Sequence, residues 1–96
     1  MKAVLIMHNA AIDAEVNETL KLLGVDCYSK FTGTFGKGQI SEPHFGSDVW
    51  PAVNNSTFIV TDADRAESVM GRVRQMRQQF GSEGIKAFMW QIDDVT

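Results

Sequence analysis

The densest chemistry in this chain lies in Phe35-Gly36-Lys37-Gly38-Gln39, where glycine-flanked backbone amides stand beside a lysine. Amides freed by glycine can converge and, with an ammonium group, wrap an anion. The stretch is not a Walker A loop, because Phe31 stands where the first glycine should be and no Ser or Thr follows Lys37. An ordinary glycine turn is the alternative. Gly81-Ser82-Glu83-Gly84 is open in the same way, either a second backbone nest or a helix C-cap followed by a tight turn. His44 follows Pro43 near Glu42 and Asp48 and offers a neutral imidazole to zinc or another transition metal. Such a site needs His44 from several subunits, or His44 joined to His8 or Cys27 by folding. Cys27 has no basic cluster nearby to activate it and reads as an inert, partly buried side chain. Arg65, Arg72, Arg74 and Arg77 read as the solvated face of a helix. There is no Ser-His-Asp order and no distinctive glutamate pair, so a non-enzymatic role is expected.

The frame that must position these groups is small. Ninety-six residues allow one domain, expected to span 1–96. A chain of this size buries only roughly 60 % of the surface its unfolded form exposes. An apolar fraction of 44 % and a charged fraction of 22 % rule out a wholly disordered chain. The longest apolar run, Ala3 to Met7, is too short for a membrane span and, behind Lys2, makes a poor signal peptide. The single cysteine excludes an intrachain disulfide and an all-cysteine metal site. Together these features point to the cytoplasm. A net charge of −3 gives no general reason to bind nucleic acid or an anionic membrane.

The apolar period changes several times along the chain. Lys2 to His8 is a β-rich run, apolar on both alternating faces. Ile12, Val16, Leu20 and Leu23 then fall at helical spacing, with Asp13 and Glu15 at the helix start, Lys21 in the last turn and Gly24 at the left-handed C′ position. Val25 to Thr34 and Ser56 to Thr61 predict two further strands. Asp64-Arg65-Ala66-Glu67 reads as an aspartate capping box for a second helix. Its stripe is Ala66, Val69, Met70, Val73, Met76 and Phe80, and Gly81 ends it. Ile85 to Ile92 makes the last strand. The order βαββαβ is the split-βαβ, ferredoxin-like arrangement: an α+β sandwich with a four-stranded antiparallel sheet.

Two features stand out from that frame. Residues 33–55 lack a clear period yet hold both prolines, four of the eight glycines and Phe35, Ile40, Phe45, Val49 and Trp50. A segment of this length is usually functional or disordered, and its large apolar residues suit an element that is mobile alone and docks on a ligand or partner. Trp50 is the expected anchor of the docked state, with a permanent place in the core or a subunit seam as the alternative. The second feature is the sheet. Val4 and Ile6 point opposite to Leu5 and Met7, Ile59 opposite to Phe58 and Val60, and Phe88 and Trp90 opposite to Ala87 and Met89, so both faces are apolar while only two helices exist to cover one of them. Self-association through the open face is the economical outcome.

The element order and loops resemble the PII signalling family over residues 2–95. Ile12-Asp13-Ala14-Glu15-Val16, Leu20, Gly24-Val25 and Phe35-Gly36-Lys37-Gly38 are similar to that family's L-D-E-V…L…G-V…G-F-G-R-Q-K-G, and Gly81 to Phe88 is similar to its G-D-G-K-I-F-V segment. The resemblance implies a cytoplasmic homotrimer, ligand sites in clefts between subunits, and a loop at 33–55 that docks on a regulated membrane transporter or enzyme. It transfers ligand contact to Gly36, Lys37, Gly38, Gln39 and Lys86, and partner docking to the loop bearing His44 and Trp50. The sequence departs from the family in having no tyrosine within 33–55, Gln39 one step late, Arg77-Gln78-Gln79-Phe80 in place of T-G-K-I, and no arginine-bearing tail after Thr96. Residues for classical ATP and 2-oxoglutarate binding are thus incomplete, and adenine nucleotide or a transition metal are the ligands to test. The CutA family, trimers of similar subunits that bind divalent metal, is the rival. An RNP pattern of sheet aromatics is missing, and His8-Asn9-Ala10-Ala11 does not supply the phosphate loop of acylphosphatases.

Overall fold

The computed structural model describes residues 1–37, 43–46, 52–81 and 83–96; Gly38, Gln39, Trp50 and Ser82 lie outside the described residues. Strand β1 (Lys2–Asn9) leads through a 3-10 turn (Ala10–Ile12) into α1 (Asp13–Leu22). Then come β2 (Ser29–Thr34), β3 (Asn54–Thr61), α2 (Ala63–Gln79) and β4 (Ile85–Gln91). The strands form one antiparallel sheet in the order β2-β3-β1-β4, the expected ferredoxin-like arrangement.

Local chemistry sets the ends of these elements. Gly24, at φ 74, closes α1 in a Schellman motif: its N–H donates to Lys21 O at 3.1 Å and the Val25 N–H to Leu20 O at 2.9 Å. Val25 is buried against that last turn, which corrects the expected strand over 25–34. Its N–H is spent on ending the helix, and pairing with β3 starts only at Ser29. The cap of α2 is Asp62 rather than Asp64: Asp62 is extended and its carboxylate accepts from the Arg65 N–H at 2.8 Å. Asp64 falls inside the first turn, where its charge faces the positive end of the helix. Cys27, expected to be partly buried, is exposed in the unpaired stretch before β2.

Register assigns the faces. Val4 lies opposite Ile59 and Met89, and Ile6 opposite Thr57 and Ala87. These rows face the helices, where Val16, Leu20, Ala66, Val69, Val73 and Met76 complete the core. The rows of opposite parity run Leu5–Phe58–Phe88 and Ala3–Val60–Trp90, with Phe31 opposite Ser56. Both helices pack on one side, so the second face is open and carries Phe31, Phe88 and Trp90 at 54, 45 and 43 % exposure.

Candidate functional site

Polar residues gather where β1 ends, and they hold the base of the long loop. Beyond β2 the chain doubles back. Gly36 and His44 exchange both backbone hydrogen bonds, the Gly36 N–H donating at 2.8 Å and the His44 N–H at 2.6 Å, and further on the Gly46 N–H donates to Ala52 O at 3.0 Å. His44 is buried, and its Nδ1 lies 2.6 Å from Asn54 Oδ1; an amide oxygen only accepts, so Nδ1 is the donor. Thr34 Oγ1 donates to Asn54 O at 2.9 Å. Two glycines are required by space. A Cβ on Gly46 would come within 2.9 Å of Phe35 Cε1, and one on Gly36 within 2.5 Å of Asn54 Nδ2. That amide is already fixed by His44, so Gly36→Ala must break the His44–Asn54 bond to fit. We expect the amides of position 36 and His44 to exchange about tenfold faster in that variant, referred to their intrinsic rates, the equivalent of about 1.4 kcal/mol, with circular dichroism unchanged.

On the helix side of the same end sits a cluster centred on Asp13, the first residue of α1. Its Oδ1 accepts from Lys30 Nζ at 2.8 Å and from Asn55 Nδ2 at 2.9 Å, and its Oδ2 from Asn17 Nδ2 at 3.1 Å. Lys30 also donates to Asn17 Oδ1. His8 is fully buried beside them, with Nε2 3.6 Å from Asp13 Oδ1 and no hydrogen-bond partner. Burial holds the His8 pKa below its ordinary value, with Lys30 acting in the same direction, against the Asn9 carbonyl and the Asp13 charge. Burial opposes ionisation of Asp13 too, but the hydrogen bonds from Lys30 and Asn55 outweigh it and leave the carboxyl below its ordinary range. Asn55 faces two ways, since its Oδ1 accepts the Gly33 N–H at 3.3 Å. Gly33, at φ 70, sits where the β2–β3 register shifts ahead of the loop.

Asn9 ties in the second glycine turn. Its N–H donates to Gly84 O at 3.0 Å, its Nδ2 to Glu83 Oε2 at 3.3 Å, and its Oδ1 caps the 3-10 turn by accepting from the Ala11 N–H at 2.9 Å. The Ala10 N–H donates to Val53 O at 2.9 Å. The loop stem, the start of α1 and the turn before β4 therefore meet around the last residues of β1.

Of the residues expected from sequence, Gly36 is locked in the stem and Lys37 follows it, exposed. His44 belongs to the stem through Asn54, which points to the open face, whereas His8 pairs with Asn55 and points to the helices; the two imidazoles lie on opposite sides of the sheet. Among the described residues no three His, Cys, Asp or Glu side chains come together to hold a metal ion. Lys86 stands on the open face beside Met7, its ammonium 5.7 Å from the centre of the Phe88 ring, two strands away from Ser56. The Asp13 cluster was missed. Its signal is the polar character of Lys30, Asn55 and Thr57 at positions whose parity faces the helices.

No family model and no curated protein matches the sequence. The fold does match solved structures. A structure of CPII from Thiomonas intermedia, bound to ADP and bicarbonate, superposes with a TM-score of 0.74 at 15 % identity, covering 93 % of this chain and 82 % of that one. Another, described as a nitrogen regulatory PII-like protein bound to ADP, AMP and bicarbonate, gives 0.73 at 14 % identity over 97 % and 88 %. A candidate PII-like signalling protein from Thermus thermophilus gives 0.67 at 19 % identity over 93 % and 82 %. The chain has the fold of PII-like proteins, and among the described residues no helix is long and apolar enough to cross a membrane.

Proposed function

We propose that this protein is a divergent, non-enzymatic PII-like sensor that assembles as a homotrimer, binds an adenine nucleotide in clefts between subunits, and regulates a transporter or enzyme through its 33–55 loop. The observation that carries this reading is the pinned loop stem beside the Gly81–Gly84 turn, on a fold whose solved neighbours hold ADP, AMP and bicarbonate. Lys37, Gly38, Gln39 and Lys86 are the proposed ligand contacts, and Gly36, whose N–H is given to His44, holds the start of that stretch. His44 fastens the stem, and Trp50 belongs to the part offered to a partner. The open sheet face supports the assembly, because it leaves aromatic rings exposed that further copies of the chain would cover.

Isothermal titration with ADP, AMP and bicarbonate, singly and in pairs, tests the ligand. Lys37→Ala should weaken ADP about tenfold or more, the value of one charge-assisted contact, while light scattering stays unchanged. Failure of all three ligands to bind at millimolar concentration, or equal affinity of the variant, would overturn the assignment.

A further inference from the structure

The geometry around His8 points to an input that nucleotide binding does not use. The His8 Nδ1 lies 2.9 Å from Asn9 O, and a carbonyl only accepts, so Nδ1 carries the proton of the neutral ring. Nε2 therefore presents a bare lone pair, 3.6 Å from a carboxylate oxygen, inside a site with no solvent access to the imidazole. Two acceptors face each other there, and the place between them suits one proton.

We propose that proton uptake by His8 loosens the loop stem: the protonated Nε2 draws Asp13 Oδ1 away from Asn55, and Asn55 then loses its hold on the Gly33 N–H, where the long loop begins. The proposal deepens the function argued above, resting on the loop as the regulatory element. Every group facing His8 enters the balance. Asp13, with Asn17 behind it, comes from α1, Lys30 from β2, Asn55 from β3 and the apolar Ile85 from β4. Glu83, in the turn before β4, is engaged with Asn9. The α2 residues packed on the core are Ala66, Val69, Val73 and Met76, none of them charged. Asp13 Oδ1 already has two donors, so a third must displace one. Lys30 and protonated His8 are full cations that attract the carboxylate as ion pairs, whereas Asn55 offers it only a neutral dipole. The neutral amide of Asn55 is the donor that yields. Burial and the Lys30 charge oppose protonation, which places the transition on the acid side of an ordinary histidine. By linkage, anything that fastens the stem must lower the proton affinity of His8.

The test is a nitrogen-15 and proton NMR titration of the ligand-free protein from pH 8 to pH 5, so that it stands apart from nucleotide binding. At pH 8 His8 should show the Nδ1–H tautomer. Its Nε2 signal and the Gly33 amide should then move with one shared midpoint, and Gly36 and His44 exchange, referred to the intrinsic rate, should accelerate through the same range. In His8→Gln the Gly33 midpoint should vanish. In Asn55→Ser His8 should still titrate while Gly33 stays flat. A Gly33 amide that does not follow His8 in the unmodified protein overturns the proposal, as does a His8 that stays neutral until the fold is lost. Because the unmodified chain decides both points, a variant that fails to fold does not shelter it.

Discussion

Phe88→Glu is expected to convert the proposed assembly of three chains into single chains in light scattering at micromolar concentration. Phe88 lies in the middle row of the open face, opposite Leu5 and beyond it Phe58, whose ring centre is 6.1 Å from that of Trp90. Burying a phenylalanine stabilises by roughly 2–3 kcal/mol, and placing an unpaired carboxylate in the same apolar seam costs several more. In a threefold assembly each subunit suffers the loss, so an increase in dissociation constant of more than a thousandfold is expected. The subunit itself should survive. Phe88 is 45 % exposed and lies on the face away from the helices, so far-ultraviolet circular dichroism should change little. A variant that keeps three chain masses would remove this face from the interface. An unmodified protein that is monomeric would remove the assembly from the proposed function.

That face was legible in the sequence because parity alone decides it. Apolar residues fall on both sides of Val4–Leu5–Ile6 in β1, Phe58–Ile59–Val60 in β3 and Ala87–Phe88–Met89–Trp90 in β4, and two helices cannot cover both. The element order followed from changes of period, and the glycine closing α1 from its place after the last apolar position. The errors lie where side chains compete for backbone groups. Asp62 and Asp64 are both plausible caps by type, and only the extended backbone at Asp62 settles which accepts the helix N–H. Val25 looks like a strand residue by propensity, yet its N–H is consumed by α1. The loop stem was hidden for a similar reason. Gly36 reads as flexible in isolation, and its tight fit against Asn54, itself held by His44, depends on residues eight and eighteen positions away. The Asp13 cluster joins four elements, and no local window contains the partners that turn a helix-start aspartate into the anchor of Lys30 and Asn55.

Asp13→Ala should be the most destabilising single change at that end of the sheet, and its pH dependence separates the anchor from its neighbours. Asp13 and Lys30 are 28 and 20 % exposed, so their pair lies between exposed pairs, which contribute about 0–1 kcal/mol, and buried ones, whose disruption costs roughly 3–5 kcal/mol. A loss of about 2 kcal/mol at neutral pH is expected, with Asn55 and Lys30 both left short of an acceptor. For a domain of this size that corresponds to a fall in Tm of roughly 8–16 °C, measured at fixed protein concentration because association shifts Tm as well. Two steps should appear as the unmodified protein is acidified. His8 holds its proton less tightly when folded than its ordinary value of 6.5, so the unfolded chain protonates first and stability declines as the pH falls below that value, levelling off below the folded pKa. Asp13 is also lowered, from 3.8, so its contribution is complete above that value and disappears as the pH falls through the folded pKa. His8→Gln should erase the upper step and keep the lower one. Asp13→Ala should diminish the lower step and retain the upper, since burial, which is the main force on His8, remains. If both variants kept the full profile of the unmodified protein, neither group would be titrating in the folded state as this cluster requires, and the acid sensitivity would belong to other carboxylates.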